Sequence, residues 1–331
     1  MGFASGGATI QNTATMTLAS DFALAWGGAG NAPVLLNSGT LTKASGSGNF
    51  TLNTAILNNS GTANIDSGSL NVSGQLLNSG ALTIASGTLA VASTQGTSTN
   101  TGTITLGANA FADFNSGVTT LGGTLISPTA NRFRFNGGTV NLNTTNIATP
   151  ALWLAGGTLN QNTNIAVTEF NQSAGTWQLN LPTVINNYNF TNGELRGANN
   201  TITNFNWFGG SLMSDALGSQ TLIASGGTLQ ISGATGKTLS YYVAPGRSLV
   251  NLGTATWSGA GITGQGGATI QNTAMMTLAG DFSFVWGGAG NSPVFRNQAT
   301  LILSNGSDFT LNTAILDNQA GAGVYFDNAS I

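Results

Sequence analysis

Ten carboxylates, seven basic side chains, no histidine and no cysteine are all that this 331-residue chain offers for acid–base or metal chemistry. Groups this sparse do chemistry only if the fold makes them converge and perturbs their titration. The acids stand at Asp21, Asp66, Asp113, Glu169, Glu194, Asp215, Asp281, Asp308, Asp317 and Asp327. Glycoside hydrolysis needs two carboxylates about 5–10 Å apart, and neighbouring turns of a stacked fold supply that spacing at one strand position. Glu169 and Glu194 come nearest, but they occupy different registers of the repeat described below. Arg132 and Arg134 share one strand face, where they offer a cationic pair to a uronate or simply to water. Trp153 takes an outward position, suited to stacking on a sugar or a partner surface.

Two glycine-rich motifs point toward ligands and each lacks a decisive element. Gly259-Ala-Gly-Ile-Thr-Gly264 has dinucleotide-fingerprint spacing, which requires a preceding strand, a following helix and an acid about 20 residues on. No helical period follows it, so it reads as a turn. Trp26-Gly-Gly-Ala-Gly-Asn-Ala-Pro-Val and Trp286-Gly-Gly-Ala-Gly-Asn-Ser-Pro-Val resemble a calcium nonapeptide, yet Ala32 and Ser292 stand where the aspartate belongs. A hard cation wants six or more oxygens with carboxylates among them. The expectation is no catalytic residue, no cofactor and no metal.

Composition narrows the classes further. Net charge is −3 with no basic cluster, which argues against nucleic acid as a partner. No run approaches about 18 apolar residues, so no transmembrane helix is expected. An outer-membrane barrel would need strands of about 10 residues, and glycine interrupts this chain more often than that. Without cysteine there is no disulfide framework. The start, Met1-Gly-Phe-Ala-Ser-Gly-Gly, has neither a basic nor an apolar leader region. Gly6 also breaks the myristoylation pattern.

What must position these residues is a repeat. Turn glycines recur at near-even intervals, at Gly138, Gly157, Gly175, Gly193, Gly210 and Gly227. Five positions before them lie Phe133, Leu152, Phe170, Tyr188, Phe205 and Leu222; two after lie Val140, Leu159, Trp177, Leu195, Leu212 and Leu229. Three before lie Phe135, Leu154, Gln172, Phe190, Trp207 and Ala224, of which Gln172 alone is plainly polar. Alternate strand residues share a side, so these positions form the predicted core ladder. Arg132, Arg134, Glu169, Glu194 and Arg196 fall on the opposite, outward parity, and Asn171, Asn189 and Asn206 stack at one outward position as a candidate amide ladder. Corners at Asn37-Ser-Gly-Thr, Asn59-Ser-Gly-Thr, Asn78-Ser-Gly-Ala and Asn100-Thr-Gly-Thr extend the pattern, read as left-handed turn conformations.

The predicted fold is all-β: a single-stranded right-handed parallel β-helix with rungs of about 17–22 residues and almost no helix. About sixteen rungs would span on the order of 75–80 Å at about 4.8 Å each. A longer repeat overlies them. Residues 7–34 recur at 267–294 with 22 of 28 positions identical. The predicted organisation is one continuous solenoid over 1–331, with a unit at 7–266 and the start of a second copy at 267–331. Neither end looks like a capping repeat, which suggests a slice of a longer array.

The Asn37, Asn59 and Asn78 corners carry a family resemblance, together with Asn204-Phe-Asn-Trp-Phe-Gly-Gly-Ser-Leu, Ile223-Ala-Ser-Gly-Gly-Thr-Leu, Gly236-Lys-Thr-Leu and Gly253-Thr-Ala-Thr-Trp-Ser-Gly. The chain resembles the repetitive β-helix regions of filamentous-haemagglutinin-like and autotransporter-like bacterial surface proteins. That resemblance implies secretion, an extended rod and a surface or adhesive role. The expectation is a non-catalytic structural or adhesive segment of a secreted bacterial surface or extracellular filament protein. It would associate with itself, head-to-tail or laterally, with cell-surface glycans as a candidate second partner. Two rival readings are a glycan-binding or glycan-cleaving β-helix, and an ice-binding solenoid suggested by Thr103-Ile-Thr and Thr201-Ile-Thr. The latter requires threonines aligned in one flat outward rank, which uneven rung lengths disfavour.

Overall fold

A computed structural model describes residues 2–3, 7–19, 21–44, 48–130, 132–215, 219–241, 245–304 and 308–327, with the backbone alone at 2, 3 and 166. Among them there is no helix, only short strands that pair in parallel as a β-solenoid of about 14 turns. Residues 1–167 and 168–331 form two compact units.

In the first unit each turn carries strand on three faces. Val34–Asn37, Thr40–Lys43 and Asn49–Asn53 make one turn, and Ile56–Asn59, Thr62–Ile65 and Ser69–Val72 the next. In the turn after these, Gln75–Asn78 is followed by one strand, Ala81–Val91, that spans the second and third faces. Each strand lies beside its counterpart one turn on: Leu35 opposite Leu57, Leu41 opposite Ala63, Phe50 opposite Leu70. Alternation of buried and half-buried residues along these strands puts Leu35, Leu41, Phe50, Leu57, Ile65 and Leu70 inside. Burying each such side chain contributes about 1.5–3 kcal/mol.

The Asn-Ser-Gly corners work differently from the left-handed turns predicted for them. Gly39, Gly61 and Gly80 are absent from the positive-φ glycines. They are needed because a Cβ would lie 2.1, 2.2 and 2.0 Å from the carbonyl oxygens of Ala14, Gly39 and Gly61. The asparagines, meanwhile, turn inward. Asn12, Asn37, Asn59, Asn78 and Asn100 are buried and linked amide to amide. Each Nδ2 donates to the next Oδ1, at 2.7, 2.6, 2.7 and 2.6 Å. A buried amide is stable only when its donors and acceptors are met, and stacking identical turns meets them. The second unit repeats the device through Asn251, Asn272, Asn297 and Asn318, at 3.0, 2.9 and 2.8 Å.

The second unit has an aromatic core. Phe170 stacks on Trp177 with centroids 3.7 Å apart, and Tyr188 stacks on Phe205 at 5.1 Å. Tyr188 donates its hydroxyl to Gln172 Oε1 at 2.5 Å, and Gln172 Nε2 donates to the carbonyls of Gly175 and Glu194. The one polar residue on the predicted inward positions is therefore the phenol's buried partner.

Turn length varies more than the glycine series implied. Glu194 pairs with Ser211 across a short turn, but the next turn is much longer, since Leu212 pairs with Leu239. Longer turns bring the total to about 14 instead of sixteen. The same lengthening corrects one predicted core residue. Leu222 is half-buried, and its neighbour Ile223 is the fully buried one. The strand Gln220–Ile231 runs across two faces with a register shift, so Ile202 faces Ile223 while Phe205 faces Leu229. Gly227 is not the successor of Gly210, which pairs with Lys237. Leu229 thus belongs to the Phe205 ladder rather than beyond Leu212. The remaining ladder residues, Phe133, Leu152, Phe170, Tyr188, Phe205, Val140, Leu159, Trp177, Leu195 and Leu212, are buried.

Candidate functional site

Asp113, Arg134 and Trp153 occupy one outward column on the third face of the first unit, at successive turns. Stacked turns bring residues a full turn apart in sequence into contact, which is how a strand surface assembles a cluster without a loop. Arg134 donates from Nε and Nη2 to the two carboxylate oxygens of Asp113 at 2.5 and 2.6 Å. The guanidinium carbons of Arg132 and Arg134 lie 4.3 and 4.0 Å from the Phe111 ring centroid. This is cation–π distance. Trp153 is half-buried beside Arg134. The two arginines therefore share an aromatic plate, and one is neutralised by a bidentate carboxylate. Asp113, counted among the acids but not paired with the arginines from sequence, and Phe111, not singled out there, are the groups that change the cluster's meaning. Their signal was parity, since both lie on outward positions about one turn before the arginines.

Carboxylates elsewhere are engaged by neighbouring groups, and Asp281 Oδ1 accepts from the Asp308 backbone N–H at 2.9 Å. Glu169 accepts from Asn171 Nδ2 at 2.6 Å, Glu194 lies 3.8 Å from Arg196, and Asp215 accepts from Gln178 at 2.8 Å. Among the described residues no group of three metal-ligating side chains comes together. The outward amide ladder predicted at Asn171, Asn189 and Asn206 is present, with both links 2.8 Å. Gly259–Gly264 is a corner that runs into the strand Ile262–Gly264, and the next element is the strand Thr269–Asn272, not a helix.

The duplicated glycine loops adopt matching conformations. Gly28, Gly30, Gly288 and Gly290 all have positive φ, and each tryptophan donates its indole N–H to the alanine carbonyl of its own loop. Beside Trp26 lies an open cleft of about 390 Å³ lined by Asn31, Ile56 and Gln95 among others. Its lining includes no carboxylate or cation.

Three of the seven basic residues are inside, against the expectation that charge keeps to outward parity. Lys43, Lys237 and Arg247 are buried. Arg247 is held entirely by neutral acceptors: Thr221 Oγ1, Asn200 Oδ1 and the carbonyls of Gly197, Ala198, Met213 and Gln220, at 2.5–3.2 Å. Five guanidinium donors matched to six oxygens from several turns make it a cross-tie of the second unit. Desolvation lowers its pKa to about 10 and that of Lys237 to about 8. Burial raises that of Tyr188. These shifts come from packing rather than from a convergent reactive cluster. Comparison of the sequence with family models and curated proteins, and of the fold with solved structures, finds no match.

Proposed function

We propose that this chain is a non-catalytic structural segment of a large secreted bacterial surface or extracellular filament protein. It associates with further copies of itself, as the resemblance to haemagglutinin-like and autotransporter-like repeat regions suggests. The observation that carries the reading is the polarity of the amide ladders. In the two buried ladders every link runs the same way, from Nδ2 of one turn to Oδ1 of the next, from Asn12 to Asn100 and from Asn251 to Asn318, opposite to the outward ladder at Asn171, Asn189 and Asn206. Each buried ladder has an acceptor end and a donor end, so a further copy stacked on a turn meets a matching amide, and matching ends that do not close give filaments. Edge strands are ready templates for the same addition. Low surface charge removes the repulsion that would oppose it. Sedimentation across a concentration series tests this. End-to-end species that grow with concentration are expected, and a clean monomer at high concentration would overturn it.

The cleft at Trp26 favours a second reading, a glycan-binding role. An indole with amide side chains beside it suits a pyranose ring, with its apolar face and polar rim. A blank glycan array would remove this reading and leave the first intact.

A further inference from the structure

The second face of the first unit carries an ordered double rank of threonine. Its successive strands present Thr15-Met-Thr17, Thr40-Leu-Thr42, Thr62-Ala-Asn64, Ala81-Leu-Thr83, Thr103-Ile-Thr105 and Thr124-Leu-Ile126. Pairing aligns them in strict register: Thr15, Thr40, Thr62, Ala81, Thr103 and Thr124 form one column. Thr17, Thr42, Asn64, Thr83, Thr105 and Ile126 form the other. Nine of these twelve outward positions are threonine and none is charged or aromatic. The middle residue of each triplet points inward, as Leu41, Ala63, Leu82, Ile104 and Leu125 are buried.

Uneven turn length does not spoil this rank. The steps along the column from Thr15 through Thr40, Thr62, Ala81 and Thr103 to Thr124 are unequal, yet the extra residues lie on other faces. The expectation that variable rungs would scatter the threonines is thereby corrected.

General strand preference for threonine does not account for the pattern, because the other faces serve as internal controls. The third face carries Thr51, Asn71, Ala90, Asp113, Arg134 and Trp153 in one outward column. The first face carries Leu36, Asn58, Leu77 and Thr99 in another. The first face adds Thr120, Thr139 and Thr158 beyond Thr99, but neither of these two faces carries threonine in both outward columns turn after turn.

The rank is also held rigidly. Each buried asparagine reaches across a turn to the backbone carbonyl in the first threonine column. Asn12 donates to Thr40, Asn37 to Thr62, Asn59 to Ala81 and Asn78 to Thr103, at 2.9, 2.9, 3.1 and 3.3 Å. Among the described residues the threonine hydroxyls of the rank donate to no protein acceptor, which leaves them to solvent. The result is a grid of hydroxyls and methyls, about 4.8 Å between turns and about 6.6 Å within one. Regular repeats of that size let single waters bridge neighbouring hydroxyls across the grid.

We infer that this face binds ice by ordering a water layer over the threonine grid. It is a function beyond the scaffold role and does not depend on self-association. A crystalline polysaccharide is the competing flat solid, but it would want the aromatic plates that this face lacks.

Nanolitre osmometry on the full chain tests the inference, with ice in buffer as the probe. Faceted crystals and a measurable freezing gap are expected. Thr83→Tyr, in the middle of the grid, should reduce the gap several-fold, while Thr88→Tyr on the third face should leave it unchanged. Circular dichroism of each variant confirms that the fold is retained. Unshaped ice from the folded parent chain would overturn the inference. So would an equal loss from the two variants, or retention on crystalline cellulose that Thr83→Tyr abolishes in a chain without a freezing gap.

Discussion

Asn59 sits in the middle of the first amide ladder, and its removal is the sharpest test of what holds the turns in register. It is fully buried, accepts from Asn37 Nδ2 at 2.6 Å, and donates to Asn78 Oδ1 at 2.7 Å and to the Ala81 carbonyl at 3.1 Å. Asn59→Ala deletes these bonds and leaves the Asn37 donor and the Asn78 acceptor without their buried partner. A net hydrogen bond is worth about 1 kcal/mol, and a stranded buried polar group costs about 1–3 kcal/mol. The expected loss is therefore about 2–5 kcal/mol, read from urea titration followed by far-ultraviolet circular dichroism. Asn59→Asp adds a diagnostic sign. The carboxylate still accepts from Asn37 but has no proton for Asn78 or Ala81, and burial raises its pKa. The folded state then binds more protons than the unfolded state above about pH 4, so stability should fall as pH rises through that range. If Asn59→Ala unfolds within about 0.5 kcal/mol of the parent chain, the ladder is a consequence of stacking and not a cause.

Three further outcomes follow from the second unit. Ile223→Ala should cost about 2–4 kcal/mol in chemical denaturation, whereas Leu222→Ala should cost under about 1 kcal/mol; the reverse order would disprove the register shift. Arg247→Met should destabilise by at least about 3 kcal/mol, because several buried oxygens lose their donors together. Lys237 gives a pH signature: burial lowers its pKa from 10.5 to about 8. Between those values the unfolded state binds the extra proton, so stability should rise with pH from about 8 and the penalty is full below it. Thermal melts at pH 7.5, 8.5 and 9.5 measure this, and Lys237→Met should flatten the slope; above about pH 10 the raised pKa of Tyr188 acts in the opposite direction.

Much of the site chemistry was legible as pattern and little of it as partnership. Parity placed Arg132, Arg134 and Trp153 on a strand surface, and the structure keeps them there. It gave no hint that Asp113 and Phe111 would occupy the arginines, since that depends on which turn stacks upon which. The inward asparagines were missed for a related reason. In one turn an Asn-Ser-Gly corner looks like a backbone device, and only a second turn supplies the amide that allows its burial. Leu222 was misplaced because equal glycine spacing imitated a frame that the long turn from Leu212 to Leu239 had already shifted.

By itself the sequence determined the class of fold. Glycine and Ser-Gly corners at near-regular intervals, with alternating apolar residues between them, leave parallel stacking as the arrangement that both buries the apolar parity and pairs the backbone. Tertiary structure alone decided register: which threonines form a grid, which asparagines form a ladder, and why Arg247 finds six oxygens in the interior. The physical reason is that stacking sums over turns of unequal length. Each insertion leaves local propensity untouched while it resets the partner of every residue that follows.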